Sequence, residues 1–99
     1  MPKRKRKTAK LTKEGIQSLP KDKPVVYRIL DRNDRNIYTG VAKRGRVAER
    51  LSDHLPAGTD AIPGGVKIRI EQKGGIDEAR KSEAIIIKRS KPRHNKKGK

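Results

Sequence analysis

The chain has 99 residues, with 28 basic against 11 acidic side chains, no cysteine and a formal charge of +17. That length suits one small domain, and the missing cysteines exclude disulfides and thiolate metal sites. Self-repulsion at such a charge opposes compaction, so the excess fits a polyanionic partner, most simply nucleic acid bound through its phosphates.

A membrane surface would require an amphipathic helix with large apolar residues opposite the charges, and the termini lack one. No apolar run reaches spanning length, and no signal-peptide core follows the basic N-terminus. A soluble, intracellular, cytoplasmic protein is expected, one able to associate with the nucleoid.

The first ten residues include Lys3, Arg4, Lys5, Arg6, Lys7 and Lys10. Such a block reads as a disordered basic arm over residues 1–11, either a nucleic-acid-binding arm or a nuclear address. The last residues, rich in Lys and Arg, end in a second basic tail at 96–99. The folded part is expected over 12–95. Residues 11–19 allow one or two helical turns capped by Thr12 and weakened by Gly15, and Pro20 and Pro24 lead into an extended segment.

Residues 25–41 read as a hairpin, two β-branched runs flanking the polar cluster from Asp31 to Asn36. The only aromatic rings of the chain besides its histidines, Tyr27 and Tyr38, sit one on each strand. They serve either as a packed cross-strand pair or as a pair of working hydroxyls. Side chains of paired strands share a face for only one parity of register. The tyrosines can act together only in an odd-sum register, such as Tyr27 opposite Tyr38 or Ile29 opposite Tyr38.

After a basic connection, Val47, Leu51 and Leu55 recur at helical spacing over 47–55, with Arg50 and His54 beside that stripe and Glu49 and Asp53 facing solvent. A turn-rich loop follows, then a strand of clean alternation at 66–71 and a helix over 76–90, with Pro92 beyond it. Hairpin, helix, strand and helix predict a small α+β domain with a three-stranded, mostly antiparallel sheet flanked by helices. On the last helix Glu83 falls within the apolar sector of Ile76, Ala79, Ile86 and Ile87, while Ile85 points away. A carboxylate there either pairs with a neighbouring Lys or Arg or holds a hard divalent cation.

Taken together, these motifs resemble the GIY-YIG endonuclease family over about residues 23–95. Val25-Val26-Tyr27 and Tyr38-Thr39-Gly40 stand for the two signature triplets, and the helix of Arg50 and His54 resembles the motif helix. The segment from Glu83 through Pro92 to Asn95 resembles the closing motif. Val25-Val26 replaces Gly-Ile, Thr39 replaces Ile, and Val41 stands where repair relatives carry Lys, a charge that Lys43 can supply. The connection from Gly40 to Arg50 is about one residue longer than in those relatives.

The resemblance implies hydrolysis of DNA phosphodiester bonds with one Mg²⁺ or Mn²⁺ ion, held by Glu83, that polarises the phosphoryl oxygen. It implies Arg50 on the scissile phosphate, Tyr27 as general base, and Tyr38 and His54 orienting the water or sharing its proton. Asn95 would fix the geometry by hydrogen bonding, and Gly40 would leave room for a phosphate. Lys43, Arg44, Arg46, Lys91 and Arg93 would contact the DNA backbone without reading its sequence. Low sequence specificity or recognition of a DNA structure is expected, with a partner protein able to supply the address. The rival readings are a non-catalytic basic nucleic-acid-binding module that keeps the fold and a small ribosome-associated protein.

Overall fold

The computed structural model describes residues 6–19, 22–55, 58–59 and 61–92. Among them are four strands and three helices: β1 (Arg6–Lys10), α1 (Lys13–Gln17), β2 (Val25–Leu30), β3 (Asn36–Ala42), α2 (Val47–Ser52), β4 (Lys67–Gln72) and α3 (Ile76–Ser90). The strands form one antiparallel sheet in the order β1-β4-β2-β3. No helix of the described residues is long and apolar enough to cross a membrane.

The fourth strand corrects the three-stranded expectation, and it lies inside the stretch read as a disordered arm. Residues 6–10 pair with β4, from Arg6 opposite Glu71 to Lys10 opposite Lys67. Backbone ladder bonds, not an apolar side-chain pattern, hold this edge, and charged side chains are what an edge strand tolerates. The next residue, Leu11, is buried and donates its N–H to Val66 O at 3.0 Å. Thr12 then caps α1 by accepting from Gly15 N–H at 3.0 Å, as its position before the short helix predicts.

The β2–β3 turn is organised by Asp31, whose Oδ1 accepts from the N–H groups of Asn33 and Arg35, both at 2.9 Å. A register irregularity follows at Ile29/Leu30, where β3 carries one extra residue. Asn36 braces it, donating to Thr39 Oγ1 at 2.8 Å and accepting from Tyr38 N–H at 3.2 Å. Thr39, fully buried, thereby has its hydroxyl satisfied.

One face of the sheet carries Val25, Tyr27, Ile29, Ile68, Ile70 and Ala42. It packs with Ile16 and Leu19 from α1 and its exit and with Val47 and Leu51 of α2 into a single core. The other face carries Val26, Leu30 and Thr39, buried but outside that cluster. Helix α3 packs on β3 and β2, and its buried Ala79 is likewise outside the cluster, so α3 covers this second face. Ile85 is 55% exposed, on the outer side as the helical periodicity requires.

Candidate functional site

The register decides the first question. Ile29 lies opposite Tyr38 and Tyr27 opposite Gly40, an odd sum, so both tyrosines lie on the same face. The ring centroids of Tyr27 and Tyr38 are 6.2 Å apart. Helix α2 delivers the third ring: His54 follows its last turn, which tightens as His54 N–H bonds to Leu51 O at 3.0 Å. The helix is shorter than the 47–55 span read from the sequence, yet this turn still keeps His54 on the core side. The imidazole centroid stands 5.5 Å from Tyr27 and 4.9 Å from Tyr38.

Within this trio the Tyr27 hydroxyl meets His54 Nε2 at 2.7 Å, and the two residues are 0% and 1% exposed. Burial pushes the Tyr27 phenol far above its ordinary range, and the neighbouring Tyr38 adds to the rise. Arg50 opposes it, acting on the same hydroxyl by its charge and by hydrogen bonding. Tyr38 also hydrogen-bonds with Tyr27, and it is only half-buried. Of the two tyrosines it is therefore the one with access to solvent.

Gly40 has a different purpose from the one its sequence position suggested. It is buried, and a Cβ built on it would stand 2.6 Å from the Tyr27 hydroxyl oxygen and 2.7 Å from Tyr27 Cζ. The room left by the missing side chain is filled by the Tyr27 phenol, not held open for a phosphate.

Arg50 is exposed at the end of α2 and pairs with Asp53 at 3.8 Å. It also links the tyrosine side of the sheet to Glu83 on α3. Desolvation raises the Glu83 carboxyl above its ordinary value, while the charges of Arg80 and Arg50 pull it down. Glu83 does not stand on the tyrosine face. Its helix covers the other side of the sheet, and its tie to the group runs through the charge of Arg50.

Where α2 and α3 approach the end of edge strand β3, a cleft of about 370 Å³ opens over Val41, Ala42 and Ile76, ringed by Lys43, Arg46, Arg50 and Arg80. The turn from Lys43 to Arg46, closed by Arg46 N–H to Lys43 O at 2.9 Å with Gly45 at φ 83°, brings both of its flanking cations to the cleft. Arg44, at the tip of that turn, is exposed and outside the lining. Lys43 thus supplies charge beside Val41. Arg80 was not among the residues singled out from the sequence, although it lies three positions before Glu83 and so on the same side of the helix.

Lys91 is exposed and takes the left-handed cap of α3, its N–H bonding Ile87 O at 2.8 Å. Arg93 and Asn95 lie outside the described residues. No group of three or more His, Cys, Asp or Glu side chains is gathered among the described residues, which leaves no all-protein cage for a metal. A single carboxylate fits a hydrated Mg²⁺ that takes its other ligands from water and a substrate phosphate. No protein family, curated protein or solved structure matches the chain.

Proposed function

We propose that the chain is a metal-dependent DNA endonuclease of the GIY-YIG type. One observation carries this reading: Arg50, which lines the cationic cleft, acts by its charge both on the buried Tyr27 hydroxyl bonded to His54 and on the carboxylate Glu83. A structural tyrosine–histidine contact needs neither the arginine nor the carboxylate.

In this mechanism the scissile phosphate sits in the cleft against Arg50, whose permanent charge and planar donors match a phosphoryl group gaining charge in the transition state. Arg80, Lys43 and Arg46 hold the neighbouring backbone. Glu83 holds the divalent cation, Mg²⁺ or Mn²⁺, which when bound supplies Lewis-acid polarisation of the phosphoryl oxygen.

Tyr38, the half-exposed tyrosine, meets the attacking water. Tyr27 is too deeply buried to meet it directly and instead passes the proton inward, from Tyr38 to His54 Nε2. Arg50 offsets part of the cost of charge on the phenol. The general-base role thus moves from one residue to a three-ring relay.

The burial of Tyr27 also favours a second reading. A phenol held strongly neutral suits a non-catalytic DNA-binding module as well as a proton relay. Incubation with nicked, branched and plain duplex DNA, with Mg²⁺, Mn²⁺ or chelator, separates the two. The nuclease reading expects cutting that chelator and Glu83→Ala abolish. Binding without cutting on every substrate would leave the module, and cutting by the Glu83→Ala protein would remove Glu83 from the metal site.

A further inference from the structure

Among the described residues, helix α3 covers the β3 and β2 part of its sheet face. Beyond it, on the same face, β4 and β1 present Lys67, Arg69, Thr8 and Lys10, and β2 adds Arg28. The register sets like charges directly opposite one another, Lys10 against Lys67 and Arg28 against Arg69. Such pairs are destabilising across antiparallel strands. Asp34 of the hairpin turn pairs with Lys67, and Glu71 pairs with Lys73 at 3.1 Å. Thr8 and Lys10 are exposed, and Arg28, Lys67 and Arg69 are half-exposed.

We propose that this uncovered half of the sheet is a second docking surface, for the phosphate backbone of duplex DNA. It lies at the β1 edge, whereas the cleft of Arg50 and Arg80 lies at the β3 edge. Those edges are three strand spacings apart, about 14 Å. A flat array of long cationic side chains contacts phosphates without reading bases, and such contacts weaken with added salt. The surface requires no metal and no catalysis, so it stands whether or not the cleft cuts DNA.

The test is binding of a fluorescent plain duplex in the presence of chelator, followed by anisotropy over a series of salt concentrations. In Lys10→Gln/Lys67→Gln/Arg69→Gln, removal of about three phosphate contacts lowers the slope of log affinity against log salt by about 2–3. The comparison protein Lys13→Gln/Lys81→Gln/Lys88→Gln loses the same formal charge from exposed positions off this face, and its slope changes by less than half as much. Thermal unfolding checks that both variants are folded; in the first, the lost like-charge pair and the lost exposed Lys67–Asp34 pair oppose each other, so its stability changes by no more than about 1 kcal/mol. Lys10→Arg/Lys67→Arg keeps the charge and the full slope. Equal losses in the two triple variants, or no loss in the first, would overturn the assignment, as would a loss seen with duplex RNA but not with duplex DNA.

Discussion

Two polar pairs make up the candidate site, and their surroundings are opposite. Tyr27 and His54 are sealed in the core and meet at 2.7 Å. Arg50 and Glu83 lie on separate helices, one exposed and one half-buried, and are linked through charge. A buried hydrogen bond is costly to break because its partners have no water to turn to. A surface ion pair contributes about 0–1 kcal/mol and exchanges partners readily. The inner pair is therefore a property of the fold, and the outer pair is the part that can respond to an arriving phosphate or cation. Substitutions should separate the two, with outer changes altering chemistry at constant stability and inner changes altering stability first.

The widest separation is expected at Arg50. Arg50→Ala removes an exposed 3.8 Å pair with Asp53 and a hydrogen bond to the Tyr27 hydroxyl, so thermal unfolding should shift by no more than about 2 kcal/mol. Single-turnover cutting of DNA should fall about 10²–10³-fold, the usual effect of losing one preorganised group on developing charge. Arg50→Lys should recover little of it, since an ammonium lacks the planar fork. An equal loss of stability and cutting would erase the distinction between the pairs.

At Gly40 the effect should be reversed. The added methyl of Gly40→Ala meets the Tyr27 oxygen at 2.6 Å and Tyr38 Cε2 at 3.1 Å, and the Tyr27 side chain is fully buried. Overpacking of this kind costs about 1–3 kcal/mol, read from the midpoint of urea unfolding. Tyr27→Phe should cost a similar ~1–3 kcal/mol by leaving His54 Nε2 buried without its hydroxyl.

That variant also has a pH signature. The folded-state pKa of Tyr27 is raised above its unfolded value near 10, so its neutral form contributes stability that is complete below pH 10 and declines above it. The wild type should lose up to about 1.4 kcal/mol per pH unit in that range through this group. The difference between wild type and Tyr27→Phe should therefore shrink as pH rises past 10, and a constant difference would argue against a neutral, buried phenol.

Much of this arrangement is legible in the chain because periodicity carries it. The stripe of Val47 and Leu51 fixes where His54 faces, and the two tyrosines on a hairpin reduce to a question of register parity. What the sequence conceals is held by backbone or by distant neighbours. β1 has Ala9 as its one apolar residue and forms through its ladder to β4, which no local pattern announces. The value of Gly40 depends on which ring lies over it, and that follows only from Tyr27 standing opposite. Arg80 is one cation among 28 basic residues until α3 carries it to the cleft beside Arg46 and Arg50. The α3 periodicity put Glu83 on the inner side of its helix, but not on which face of the sheet that helix would pack.

Glu83 offers the finest test of the outer pair. Desolvation raises its carboxyl, so the protonated form is the one the fold prefers. Its contribution to stability is complete below the unfolded value near 4.3 and is lost as pH rises through the folded value. At pH 7 the ionised carboxylate therefore weighs slightly against folding, and Glu83→Gln should be as stable as the wild type or a little more so. A bound cation reverses that balance, because it requires the ionised form that burial disfavours. An ion at ten times its dissociation constant adds about 1.4 kcal/mol to the folded state. Titration with Mg²⁺ at pH 7 should accordingly raise the melting temperature of the wild type and leave Glu83→Gln unmoved. The same rise in both proteins would place the cation elsewhere and reduce Glu83 to a half-buried partner of Arg80 and Arg50.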